Sequence, residues 1–148
     1  MNRLLLSISL SLLTVTGAQA DEEAELIGDI ARGEGLFREC SSCHQIGAGA
    51  KNRVGPHLND LFGRSAGSVE GFRYSKSMER ASSDGLEWTL DTLNAYIENP
   101  RALISGTRMS YRGMKNQQDR NDLLAYLRDQ TASPQNIPES APTARAHE

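Results

Sequence analysis

Cysteine is nearly absent from this chain: its 148 residues include two, Cys40 and Cys43. A disulfide-stapled scaffold needs several pairs, and a structural zinc site normally takes four Cys or His ligands at paired spacings, so the sequence suits neither. Aromatic residues make up only 5% of the chain, with one tryptophan, and supply little of the large apolar surface that builds a core. Positive charge is not in excess either. Nineteen acidic side chains outnumber 16 basic ones, which excludes a generally basic nucleic-acid-binding surface. Beyond the first residues, no apolar run approaches the roughly 20 residues that cross a bilayer. The chain shows no repeats and no alternating pattern that would mark strands, so the expected class is all-α, with long loops.

What is present begins with a targeting segment. Arg3 supplies a positive start, Leu4 to Val15 form a short apolar stretch, and Ala18-Gln19-Ala20 is a small-residue cleavage site. Residues 1–20 therefore read as a signal peptide cleaved after Ala20, with retention as an anchor as the alternative. The remainder has 128 residues, enough for one domain, and carries 15 basic against 19 acidic side chains, or −4. Residues 21–27 are acidic and expected to fray. The Pro-, Ala- and Ser-rich stretch 131–148 reads as a disordered tail, leaving the domain at 28–130.

The two cysteines stand in Cys40-Ser41-Ser42-Cys43-His44, a C-x-x-C-H run that is the attachment signature of c-type haem. Two thiols at this spacing can form thioethers with two vinyl groups, and the adjoining histidine can bind the iron on one face. A redox disulfide of the thioredoxin type belongs beside a βαβ pattern, and none is present. An export signal together with this motif points to the bacterial periplasm.

Around the motif the chain reads as a few helices. Gly28 to Glu39 is one, with Asp29 near its start and Ile30, Leu36 and Phe37 as apolar positions. Gly33 within it suits either close approach of another helix or simple tolerance. Residues 47–71 are rich in Gly, Asn and Pro and read as loop. Thr89 caps a helix that runs to Asn99 and ends at Pro100, and 101–115 reads as irregular. Asn116 and Asp119 open a last helix to about Gln130, with Leu123, Leu124, Tyr126 and Leu127 on its apolar side.

Iron bound by His44 has a second face, and electron-carrying haem proteins commonly fill it with a methionine thioether. Met78, Met109 and Met114 are available, and Met109 lies in a flexible stretch, Ile104 to Arg108, followed by Gly113. The segments Asn99-Pro100-Arg101 and Gly106-Thr107-Arg108-Met109 resemble those of class I cytochromes c. Val54-Gly55-Pro56-His57-Leu58, Leu61-Phe62-Gly63-Arg64, Gly71-Phe72-Arg73-Tyr74, Trp88 and Arg120 to Leu127 follow in the same order. The resemblance spans about Gly28 to Arg128 and is strongest to mitochondrial cytochrome c and its respiratory or photosynthetic bacterial relatives.

The resemblance implies one haem c attached through Cys40 and Cys43, with His44 and Met109 as axial ligands. It implies that the Pro56 carbonyl orients the His44 ring, that Tyr74 and Trp88 bond a propionate with Arg64 nearby, and that Tyr96 and Thr107 flank the Met109 sulfur. Gly33 and Phe37 would pack on Leu123 and Tyr126. His57, Met78, Ser105 and Arg108 depart from the mitochondrial pattern, and Met114 reads as core. The implied function is single-electron shuttling by a monomer that is not an enzyme. Its partners would be a cytochrome bc complex as donor and a terminal oxidase or reaction centre as acceptor, or else a periplasmic dehydrogenase. A ligand-binding or peroxidase-like haem protein is the alternative class. Arg38, Lys51, Arg53, Arg101, Arg108, Arg112 and Lys115 bracket the attachment and methionine segments and would form a local positive collar.

Overall fold

Local capping sets the helix boundaries. In the computed structural model, which describes residues 28–130, Asp29 accepts a hydrogen bond from the Arg32 N–H and starts α1 (Ile30–Leu36). The segments assigned above to a signal peptide, a frayed start and a tail lie outside the described residues. The expected first helix is interrupted at Phe37, where the Cys40 N–H bonds the Phe37 carbonyl at 2.8 Å in a tighter turn. The chain then continues as α2 (Arg38–Ser41), which runs into the haem motif.

A helix that the sequence did not reveal, α3 (Lys76–Ser83), is capped by Ser75 and buries only Met78. Thr89 caps α4 (Leu90–Glu98), with a reciprocal bond between Thr92 and the Thr89 N–H. Pro100 does more than end α4. With Asn99 as cap it occupies the first turn of α5 (Pro100–Leu103), where its missing N–H costs nothing. Asn116 accepts from the Asp119 N–H and opens α6 (Gln117–Asp129), as expected. Among the described residues, extended pairing is limited to one isolated bridge between Ser65 and Glu87. The class is all-α.

The first and last helices cross at Gly33, where an added Cβ would lie 2.7 Å from the Asp122 carbonyl carbon and 2.8 Å from Tyr126 Cβ. Close approach is therefore the role of this glycine. Its nearest neighbours are Asp122 and Tyr126, while the Phe37 and Tyr126 rings pack with centroids 5.5 Å apart. Asp122, 1% exposed, accepts from the Asp29 N–H at 2.8 Å, from Gln118 Nε2 at 2.8 Å and from Arg32. Arg32 also pairs with Asp119.

Burial alone would raise the Asp122 pKa. The bonds from Asp29, Gln118 and Arg32 outweigh it and hold the carboxyl below its ordinary 3.8. A depressed carboxylate contributes stability above its unfolded pKa and loses it as pH falls through the folded value. Unfolding free energy should therefore fall as pH drops below the ordinary 3.8. Asp122→Asn should flatten that fall and cost about 2 to 3 kcal/mol at neutral pH. Urea titrations of both forms across the acid range measure both effects.

Candidate functional site

The haem motif is carried by the turn that ends α2. The His44 N–H bonds the Cys40 carbonyl at 2.9 Å, and the Cys43 N–H bonds the same carbonyl at 3.0 Å. Cys40, Cys43 and His44 thus project from one tightened turn into one cavity of about 530 Å³. The two thiols are not joined to each other. Burial, followed by the Glu39 and Cys43 charges, pushes the Cys40 thiol up to about 11. Among the described residues, no group of three or more His, Cys, Asp or Glu side chains could hold a metal ion by itself.

His44 Nδ1 lies 2.7 Å from the Pro56 carbonyl. A carbonyl only accepts, so Nδ1 carries the proton and Nε2 keeps its lone pair for a metal. Burial lowers the His44 pKa, and the bond to Pro56 offsets only part of that, so the ring is neutral at physiological pH. Gly55 fixes the ring from the side: a Cβ there would come within 2.7 Å of both ring nitrogens. The expected approach of the Pro56 carbonyl is thus a direct contact, and the closeness of Gly55 adds to it.

Met109 lines the same cavity, on the segment that follows α5. Its N–H lies 3.3 Å from the Thr107 hydroxyl, which is itself 2.6 Å from the Tyr96 hydroxyl on α4. Thr107 and Tyr96 are both buried, so the Met109 segment is tied to α4 through a polar pair inside an apolar wall. Met114 is also buried, but it belongs to the core, with its N–H bonded to the Ile97 carbonyl at 2.9 Å. It does not line the cavity.

The remaining wall tests whether haem fits. Leu58, Leu61, Phe72, Leu93, Ile97 and Leu127 give it an apolar surface suited to a flat, largely apolar ring. Arg64, Tyr74 and Trp88 share the wall, as the resemblance implied. Arg64 donates to the Asn59 carbonyl at 2.8 Å, yet its buried Nε has no hydrogen-bond partner among the described residues. Arg64 brings a positive charge to the apolar wall, which suits the carboxylate of a propionate. Tyr74 Oη is loosely held, at 3.4 Å from the Val69 N–H, and Trp88 packs on Tyr96 with centroids 5.0 Å apart. The residues present fit the group.

Several lining residues had been given no place in the wall by the sequence. Met78, which departs from the mitochondrial pattern, is buried in this wall. Arg73 brings a positive charge to the cavity, and its carbonyl accepts from Arg108 Nη1 at 3.3 Å. Tyr111 lies in the wall two positions beyond Met109 and was unmarked by any local signal. His57, a departure noted above, does not line the cavity.

Comparisons agree with this geometry. Residues 30–131 match the family model described as Cytochrome c. The chain is 48% identical over 99 residues to cytochrome c2 of Afifella marina, covering 67% of this chain and 80% of that one. It is 47% identical over 105 residues to cytochrome c of Stellaria longipes, covering 70% of this chain and 94% of that one. The solved structure of cytochrome c2 from Rhodospirillum centenum superposes with a TM-score of 0.68 at 35% identity, covering 70% of this chain and 99% of that one. The cysteine pair that opens the cavity is thus the haem c attachment site of a chain that belongs to the cytochrome c family, with the fold of its class I members.

Proposed function

We propose that this chain is a periplasmic single-electron carrier with His44 and Met109 as the two axial ligands of its haem. The observation that carries it is one apolar cavity whose wall holds Cys40, Cys43 and His44 together with Met109. With both iron faces taken by protein side chains, no position is open for a substrate. The bound haem supplies an Fe(II)/Fe(III) couple. The chain's own residues do the rest. Pro56 and Gly55 hold the His44 ring in one tautomer and one orientation, Thr107 and Tyr96 fix the Met109 segment, and apolar side chains exclude water.

The partner assignment is a quinol-oxidising cytochrome bc complex as donor and a terminal oxidase or photosynthetic reaction centre as acceptor. Two of the bacterial relatives are cytochromes c2, from Afifella marina and Blastochloris viridis. A signal peptide at residues 1–20 would deliver the chain to the periplasm. No helix of the described residues is long and apolar enough to cross a membrane.

All seven residues of the expected collar are exposed, and Arg108 lines the cavity. Partner selection by such a collar makes association faster than the net charge would suggest, and salt-sensitive. Stopped-flow electron exchange with purified bc complex and oxidase should slow at least about tenfold between low and physiological ionic strength. Rates that ignore salt would remove the collar, and a lack of exchange with either partner would remove the assignment.

A further inference from the structure

Tyr111 bonds across the cavity wall. Its hydroxyl donates to Glu39 Oε2 at 2.8 Å, joining residues 72 positions apart. Glu39 lies in α2 immediately before Cys40, Tyr111 lies two residues after Met109, and both line the cavity. The segment that carries Met109 is otherwise moored by one exposed bond from Arg108 Nη1 to the Arg73 carbonyl at 3.3 Å and by its own neighbours. Tyr96 holds Thr107 at 2.6 Å, Ile97 holds the Met114 N–H at 2.9 Å, and the Glu98 carbonyl accepts from Lys115 Nζ at 2.7 Å. Between these moorings Arg108, Ser110 and Arg112 are exposed and Met109 is half-buried. So short a stretch with few buried contacts opens locally at low cost unless a firmer bond ties it to the attachment turn.

We propose that the Tyr111–Glu39 hydrogen bond is a latch that closes the Met109 segment onto the attachment turn, making both side chains positioning residues for the Met109 sulfur. This rests on Met109 being an axial ligand. The latch holds the thioether over the cavity against momentary opening, so it sets how often an outside ligand can reach the Met109 face. It does so through geometry. The carboxylate only accepts and the phenol donates, so phenylalanine at 111 or alanine at 39 breaks the bond. Glutamine at 39 keeps a carbonyl acceptor without the charge.

The test uses the full haem-loaded chain and its variants Tyr111→Phe, Glu39→Ala, Glu39→Gln and Tyr111→Phe/Glu39→Ala. Three quantities are measured: imidazole binding to the ferric form, amide hydrogen exchange across residues 104–115, and the methionine–iron charge-transfer band. Tyr111→Phe and Glu39→Ala should each strengthen imidazole binding and speed exchange about three- to tenfold, the weight of one ordinary solvent-exposed hydrogen bond. The double variant should go no further than either single one, because both remove the same contact. Glu39→Gln should stay near the unsubstituted protein. Unchanged imidazole binding and exchange in both single variants, or additive effects in the double, would overturn the latch while the band stays intact. A missing band in the unsubstituted protein would instead overturn the Met109 assignment and the latch's role with it.

Discussion

Met109→Ala is expected to turn a ferrous protein that ignores carbon monoxide into one that binds it completely on mixing. The thioether stands in the cavity wall on a segment tied by the buried Thr107–Tyr96 pair, and on the proposed His44–Met109 ligation an incoming ligand would have to displace it. Alanine removes the sulfur and leaves its neighbours in place, which opens one face of the iron. Met114 is not positioned to substitute, since it is buried in the core and absent from the cavity wall. The volume-conserving Met114→Leu should therefore remain inert to carbon monoxide at a cost below about 1.5 kcal/mol.

A second readout is electrochemical. A thioether favours the ferrous state, so Met109→Ala should lower the midpoint potential by on the order of 0.1 V or more, within the about 0.8 V that axial ligands span. An immediate, complete carbon monoxide spectrum in the unsubstituted protein would sink the His44–Met109 assignment. It would favour the ligand-binding or peroxidase-like class instead.

Gly33→Ala is expected to destabilise the fold by about 4 kcal/mol, at the severe end for one methyl group. The atoms it would meet are backbone and Cβ atoms of Asp122 and Tyr126, which cannot swing aside as a flexible side chain would. Relief requires α1 and α6 to move apart. That movement also stretches the Asp29 N–H bond to Asp122 and the Arg32 pairs with Asp119 and Asp122. The matching control is two residues away. An added Cβ at Gly35 meets nothing within 4 Å, so Gly35→Ala should be neutral or stabilising by up to about 1 kcal/mol through helix propensity. Thermal unfolding followed by circular dichroism should separate the two by at least about 15 °C. Equal melting temperatures would show that the crossing is looser than its geometry.

Much of this was legible because it is local. Asp29, Thr89 and Asn116 announce their helices through side-chain oxygens that cap N–H groups a few residues on, and the structure places each one at a cap. The haem motif is local too, since one turn presents both thiols and the imidazole. α3 was illegible because its sequence, KSMERASS, buries one residue and gives no apolar stripe to read. Pro100 misled for a different reason, since the same residue both stops α4 and starts α5. The choice of Met109 as the proposed partner of His44 rested mainly on family resemblance, because residues so far apart reach one cavity wall through packing that no spacing encodes. Tyr111 and Glu39 had neither a local signal nor a family one. Their contact depends on how the Met109 segment lies against α2.

The cavity wall and the hydrophobic core are largely the same residues. Trp88, Leu93, Tyr96, Ile97, Leu123 and Leu127 pack in the core and also line the cavity. A substitution made there to raise the melting temperature is therefore also an electronic substitution, because it changes the polarity and packing around the redox centre. Robustness and potential cannot be adjusted separately on this inner shell. Freedom to tune one without the other lies at the helix crossing, where Arg32, Gly33 and Asp122 join α1 to α6 and are not among the residues of the cavity wall. Adaptation of this carrier to heat or acid would be sought at that crossing, and adjustment of its potential within the wall.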